Sequence, residues 1–177
     1  MKHPFAVVFA GLPGTSKSIV AFYLSGKFGL PMFNNDQLRY EVKEDLLADN
    51  INRPDALQEF ERRLTQRVDE ILSTKRPIIL DGSVDRRWAE RKDQLNKYGY
   101  RHFLINMELS PEFIENLWIK TGRRELIDKY LYPYIPDHIS FLNQHRQEIN
   151  VEINDDIFEN RNPIAANALR QFIANLE

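Results

Sequence analysis

The sequence predicts a three-layer α/β fold, with a mostly parallel five-stranded sheet carrying helices on both faces. Three observations predict it. Short apolar runs at residues 5–10, 31–33, 77–80, 102–107 and around Val151 and Ile153 read as strands. Between them lie longer stretches with apolar residues at spacings of three and four, the signature of helices packed on one face. The two kinds of segment alternate along the chain, which calls for right-handed crossovers between parallel strands.

The elements follow in order. Residues 5–10, bounded by Gly11 and Pro13, predict a central strand. Residues 17–28 predict a helix with Ile19, Val20, Phe22, Tyr23, Leu24 and Phe28 on its apolar face; Gly29 ends it and Pro31 blocks its continuation. After a short strand at 31–33, a helix is expected over 37–48, with Leu38, Val42, Leu46 and Leu47 on one side. Pro54 suits the first turn of the next helix. There Leu57, Phe60, Leu64, Val68, Ile71 and Leu72 form a strongly amphipathic face. The strand at 77–80 is followed by a helix over 86–97 that Gly99 stops, and then by the strand at 102–107. Ser110 as cap and Pro111 at the first position open another helix. Residues 121–136, with Gly122, Pro133 and Pro136, read as an irregular, mobile excursion. A helix is expected over 137–148, the fifth strand follows, and Asn162 and Pro163 begin a last helix with Ile164, Ala168, Leu169, Phe172 and Leu176 facing inward. One domain over 1–177 is expected, with excursions at about 37–75 and 121–136 over one edge of the sheet.

Composition narrows the function. A formal net charge of −2 argues against wholesale coating of duplex DNA, while leaving room for a local basic groove. Without cysteine there is neither a disulfide framework nor thiolate chemistry. No apolar run approaches a membrane span, and residues 5–10 are too short, and lack a cleavage site, for a signal peptide. A cytoplasmic protein with no membrane partner is expected.

The chemistry concentrates at strand ends. Gly11, Leu12, Pro13, Gly14, Thr15, Ser16, Lys17 and Ser18 lie between a predicted strand and a predicted helix. They match the phosphate-binding pattern G-x-x-x-x-G-K-[ST] except at Ser16, where the last glycine is expected. Small residues such as Gly11, Pro13, Gly14 and Thr15 let successive N–H groups curl around phosphate oxygens, and the helix N-terminus adds positive potential. Lys17 can bridge the β- and γ-phosphates, and the Ser18 hydroxyl can ligate Mg²⁺, which implies ATP with Mg²⁺. If Ser16 takes a positive φ, its Cβ costs about 1 kcal/mol.

Asp36 follows the second strand, on the crevice side of a parallel sheet. Its carboxylate can accept the proton of an attacking hydroxyl, and Arg39, three residues on, can clamp an anionic acceptor. The plainer alternative makes Asp36 a helix cap and Arg39 a solvated residue. Asp81, closing an apolar strand, can orient Mg²⁺, or can simply open an Asp-Gly turn.

Together, residues 11–18, the D-x-L-R element at 36–39 and residues 79–83, followed by Arg86 and Arg87, resemble the P-loop kinases grouped with polynucleotide 5′-hydroxyl kinases, zeta-toxin-like kinases and small-molecule kinases. The resemblance implies a nucleoside-kinase-like P-loop NTPase fold with a lid. It also implies Asp36 as base and Arg39 as acceptor clamp. Such kinases carry lid arginines after the fourth strand. Asn116 stands about where the family often has one, which leaves Lys120, Arg123 and Arg124, with Arg123 favoured as the catalytic cation and Arg124 beside the nucleotide. The implied acceptor is a small molecule or nucleotide, with a nucleic-acid 5′ end left open; a nucleotide-binding switch without an acceptor is the alternative.

Other features read as structural. The aromatic run Tyr130, Tyr132 and Tyr134 suits a packed loop more than a base-stacking platform, and the four histidines lack zinc spacing. Arg62, Arg63, Arg67, Arg86, Arg87 and Arg91 are expected in solvent, and Asn154, Asp155 and Asp156 in an acidic turn.

Overall fold

The structure, a computed structural model, describes residues 3–47, 51 and 53–176. Strand β1 (Phe5–Gly11) is followed by helix α1 (Lys17–Phe28), β2 (Met32–Asn34), α2 (Asn35–Asp45), α3 (Pro54–Ser73), β3 (Ile78–Ser83) and α4 (Trp88–Lys97). Then come β4 (Arg101–Glu108), α5 (Pro111–Lys120), α6 (Ile127–Tyr130), α7 (Ile135–His145), β5 (Val151–Asn154) and α8 (Arg161–Ala174). The strands form one all-parallel sheet in the order β2-β3-β1-β4-β5.

The middle strand explains why an unbroken apolar run was needed. Phe5, Val7 and Phe9 enter one core, with α1, α5 and α8, while Ala6, Val8 and Ala10 enter the other, with α2, α3, α4 and α7. Neither face of β1 meets water, so alternation with polar residues would have buried uncompensated polar groups. With β1 central and β3 and β4 as its neighbours, the ends of β1, β2 and β3 converge on one crevice, where Asn34 pairs in register with Asp81.

Local signals set several ends. Gly29 closes α1 at φ 65°, the left-handed conformation in which a glycine avoids Cβ strain. Ser110 caps α5 by accepting the N–H of Phe113, with Pro111 at the first position as expected. α2 begins at Asn35 rather than 37, because Asn34 serves as its cap and accepts the N–H of Asp36 at 2.7 Å. That helix ends at Asp45, short of the expected 48, with Leu46 as its C-cap, and Leu47 is exposed rather than packed; residue 48 itself lies outside the described residues.

Other expectations need correction. On α1, Ile19 and Phe22 are exposed, and Val20, Ala21 and Leu24 make the buried face. On α3, Ala56 takes the buried position and Leu57 is turned outward. Residues 121–136 are not irregular. They fold into two 3-10 turns (Arg124–Leu126 and Tyr132–Tyr134) flanking α6, and Ile127 and Leu131 anchor them in the core. The proline and glycine content marked breaks between short helices, and two buried apolar side chains hold the pieces down. The tyrosines follow the packing reading: Tyr130 and Tyr134 pack against the core, and the Tyr132 hydroxyl donates to Glu115 at 2.7 Å.

Candidate active site

The phosphate loop is built on three positive-φ residues: Gly11 (127°), Gly14 (83°) and Ser16 (65°). Ser16 therefore does adopt the left-handed conformation for which the motif specifies glycine, and its side chain makes no cap bond in return. The other two positions have no room for a Cβ. At Gly11 it would lie 2.7 Å from the Met107 carbonyl, and at Gly14 only 2.1 Å from the indole Nε1 of Trp118. Trp118, on α5, thus covers the loop. Thr15 is fully buried and stitches the loop internally, its hydroxyl donating to Leu12 O at 2.9 Å.

Lys17 turns back over this loop. Its ammonium donates to Gly11 O at 2.7 Å and Leu12 O at 2.6 Å, and lies 3.1 Å from Thr15 Oγ1. Burial pulls its pKa down to about 8, while the nearby charges of Asp85 and Asp81 push it back up.

Ser18 and Asp81 meet across the crevice: the hydroxyl donates to Asp81 Oδ1 at 3.1 Å. The other carboxylate oxygen accepts Asn34 Nδ2 at 2.9 Å. Burial raises the pKa of Asp81, the Ser18 bond lowers it, and the charge of Asp36 raises it again, which puts the two carboxylates within electrostatic reach. A hydroxyl beside an ionisable carboxylate at the mouth of a phosphate loop is a set of hard oxygen donors that fits Mg²⁺.

Asn34 was not singled out in the sequence. Its amide nitrogen holds Asp81 and its amide oxygen holds the Asp36 N–H, so it fixes the N-terminus of α2 relative to the candidate metal ligand. Asp36 itself is not the cap; it sits in the first turn, 69% exposed, with Arg39 Nη1 3.4 Å away. The Arg39 guanidinium rests over the Phe60 ring at 5.2 Å. Ser18 thus bonds to Asp81, the charges of Lys17 and Asp36 both act on Asp81, and Arg39 pairs with Asp36.

Lys120, Arg123 and Arg124 are exposed and form no ion pair among the described residues. Gly122 closes α5 at φ 70°, and the Arg123 N–H donates to the Trp118 carbonyl at 2.8 Å; no hydrogen bond or ion pair of the three cationic side chains with residues 11–18 is seen among the described residues.

Asp85 escaped the sequence reading, and His138, whose spacing argues against zinc ligation, is a buried structural histidine. Both oxygens of the Asp85 carboxylate accept the Gly11 N–H, at 3.2 and 3.3 Å, and the Ser83 hydroxyl donates to Oδ2 at 2.6 Å. His138 Nδ1 lies 3.4 Å from Oδ1, with both side chains about nine-tenths buried. Burial works to raise the Asp85 pKa, but the bonds from His138 and Ser83, with the charges of His138 and Lys17, outweigh it and hold the carboxyl low. No local motif marks either residue; a buried carboxylate bonded to a residue 74 positions away is visible only in three dimensions.

The arginines divide. Arg86 pairs with Asp137 at 2.7 Å and lies 3.9 Å over the Tyr134 ring. Arg91 is buried rather than solvated; burial first, and the charge of Arg87 second, pull its pKa down to about 10. Asn154 and Asp155 brace the sheet end, Asp155 accepting both the N–H and the hydroxyl of Ser110.

A family model described as an AAA domain matches residues 7–120. No curated protein sequence gives a match. A gluconokinase from Sinorhizobium meliloti superposes with TM-score 0.64 at 17% identity, covering 99% of this chain and 97% of that one. The Mycobacterium tuberculosis APS kinase CysC, solved with AMPPNP and APS, gives 0.61 at 16% identity, covering 96% and 99%. Shikimate kinase from Acinetobacter baumannii, solved with shikimate, gives 0.61 at 16% identity, covering 98% and 96%. At these identities the likeness establishes the fold, which is that of P-loop kinases.

Proposed function

The chain belongs to the AAA domain family, and we propose that it is an ATP-dependent phosphotransferase that moves the γ-phosphoryl group to a hydroxyl or phosphate acceptor. One observation carries the reading. Ser18, Asp81 and Asn34 form a continuous bridge from the phosphate loop to the turn that bears Asp36. That bridge ties the donor side of the crevice to the acceptor side, which in-line transfer requires. The names of the three similar structures above, a gluconokinase, an APS kinase and a shikimate kinase, support a small-molecule acceptor.

In this reading the N–H groups of Gly14, Thr15, Ser16 and Lys17 cradle the phosphates, and the Lys17 ammonium turns from its own carbonyls toward phosphate oxygens. Ser18 and, through water, Asp81 would hold Mg²⁺, which would supply charge neutralisation at the phosphate oxygens. Asp36 takes the proton that the acceptor hydroxyl sheds as its oxygen bonds to the γ-phosphorus and the bond to the ADP oxygen breaks. Arg39 releases Asp36 to position the acceptor, and Arg123 stabilises charge on the phosphoryl group, with Arg124 nearer the nucleotide. Residues 121–136 serve as the lid and exclude water, which would otherwise take the phosphoryl group.

A second reading, nucleotide binding without transfer, is favoured by the lid: Asn116 stands where an arginine is expected, and Lys120, Arg123 and Arg124 form no ion pair among the described residues. Release of ADP from Mg²⁺·ATP, with and without nucleosides, nucleoside monophosphates, sugars or a 5′-hydroxyl oligonucleotide, separates the two. Acceptor-dependent release supports the phosphotransferase; binding with no acceptor dependence supports the switch.

A further inference from the structure

The loop between β3 and α4 grips two parts of the molecule at once. On one side, Asp85 holds the Gly11 N–H with both carboxylate oxygens. The Ser83 hydroxyl, bonded to Asp85, also lies 3.2 Å from Gly11 O. That carbonyl is the one that receives Lys17 Nζ. The two ends of one residue, the first of the phosphate loop, are therefore held by Asp85 at its N–H and by Lys17 at its carbonyl. Gly11 needs such fixing: at φ 127° its backbone lies outside the ordinary wells, and the Met107 carbonyl presses on it from the neighbouring strand. On the other side, Asp85 meets His138 and Arg86 meets Asp137 and Tyr134, all at the start of α7, the helix that follows the lid.

We propose that Asp85 is a positioning residue for nucleotide binding. It sets the orientation of the Gly11 peptide, and with it the reach of Lys17, and its bond to His138 carries the seating of α7 to the phosphate loop. A carboxylate is needed because it alone accepts from an amide, a hydroxyl and an imidazole together without presenting a donor of its own. A backbone N–H bonded to a charged acceptor in a nearly dry setting is a strong tether. The path from α7 to the loop is then three consecutive contacts: His138 of α7 to Asp85, Asp85 to Gly11, and Gly11 to Lys17. The inference rests on the nucleotide-binding reading of the loop and not on phosphoryl transfer.

The test measures Mg²⁺·ATP affinity by calorimetry for the unaltered chain and for Asp85→Asn, His138→Ala and His138→Asn, with the Gly11 amide resonance followed by ¹⁵N–¹H NMR. Asp85→Asn should weaken affinity by about tenfold or more, the loss of a charge-assisted tether, and move the Gly11 amide proton upfield. His138→Ala should weaken it by about threefold, and His138→Asn, whose amide nitrogen sits near the place of Nδ1, should restore most of that. Unchanged affinity in a folded Asp85→Asn chain would overturn the proposal. If that variant does not fold, equal affinity of His138→Ala and the unaltered chain overturns it instead. ATP binding without transfer to any acceptor would remove the kinase reading and leave this inference standing. Absence of ATP binding in the unaltered chain would remove both.

Discussion

The hydroxyl of Ser18 donates to Asp81 Oδ1 at 3.1 Å, joining the first turn of α1 to the strand beside it. Because Asp81 is largely desolvated and its pKa is raised, its ionised form is a burden on the fold at neutral pH that lightens as pH falls through the folded-state value. Asp81→Asn should therefore raise the melting temperature at pH 7 while making ATP affinity insensitive to Mg²⁺. Calorimetry with and without Mg²⁺ checks both halves. A variant that keeps its Mg²⁺ dependence would remove Asp81 from the metal site.

Ser16 adopts φ 65° with no compensating side-chain bond. Ser16→Gly relieves roughly 1 kcal/mol of Cβ strain, offset in part by the greater freedom of glycine in the unfolded chain. The expected outcome is a gain of up to about 1 kcal/mol in urea unfolding, or a rise of about 2–4 °C in Tm, with tighter ATP binding. A loss of stability would mean the serine hydroxyl has work that its geometry does not show.

Trp118 and Gly14 occupy adjoining space, since a Cβ on Gly14 would penetrate the indole. Trp118→Ala should cost about 3–5 kcal/mol, the usual loss for a buried aromatic. Gly14→Ala should abolish ATP binding, through strain at φ 83° and the clash. Because the two share one space, the double variant should be less destabilised than the sum of the singles. Strict additivity in urea unfolding would contradict the contact.

Burial lowers the Lys17 pKa from its ordinary 10.5 to about 8. Between those values the unfolded chain binds more protons than the folded one, so this group's contribution to stability improves as pH rises. Its destabilising effect is complete below about 8 and gone above about 10.5. Relative to Lys17→Met, the unaltered chain should gain stability from neutral pH to about pH 10, on the order of 1–3 kcal/mol. ATP affinity should fall over the same range, because a neutral amine does not attract phosphate; a flat profile would place the Lys17 titration elsewhere.

How much of this was legible follows from range. The caps at Gly29 and Ser110 and the strand at β1 are local consequences of a few residues, and the sequence declares them, while the positive φ at Ser16 enters it only as a condition, which the structure meets. Asp36, Arg39 and Asp81 stood out because they follow strands whose ends converge in any parallel sheet. Asp85, His138 and Trp118 act through contacts between distant segments, which periodicity does not encode. Ile19 and Phe22 misled for a related reason. α1 buries only one side, so the apolar residues of its outer side remain in water despite their character.

The most direct measurement incubates the chain with Mg²⁺ and ATP labelled at the γ-phosphate, supplies the acceptor panel, and follows the label onto the acceptor. The account predicts label on one acceptor class, lost in Lys17→Ala and in Asp36→Ala, with Asp36→Ala still binding ATP. Label that persists in Asp36→Ala, or a chain that binds ATP and labels nothing, would contradict it.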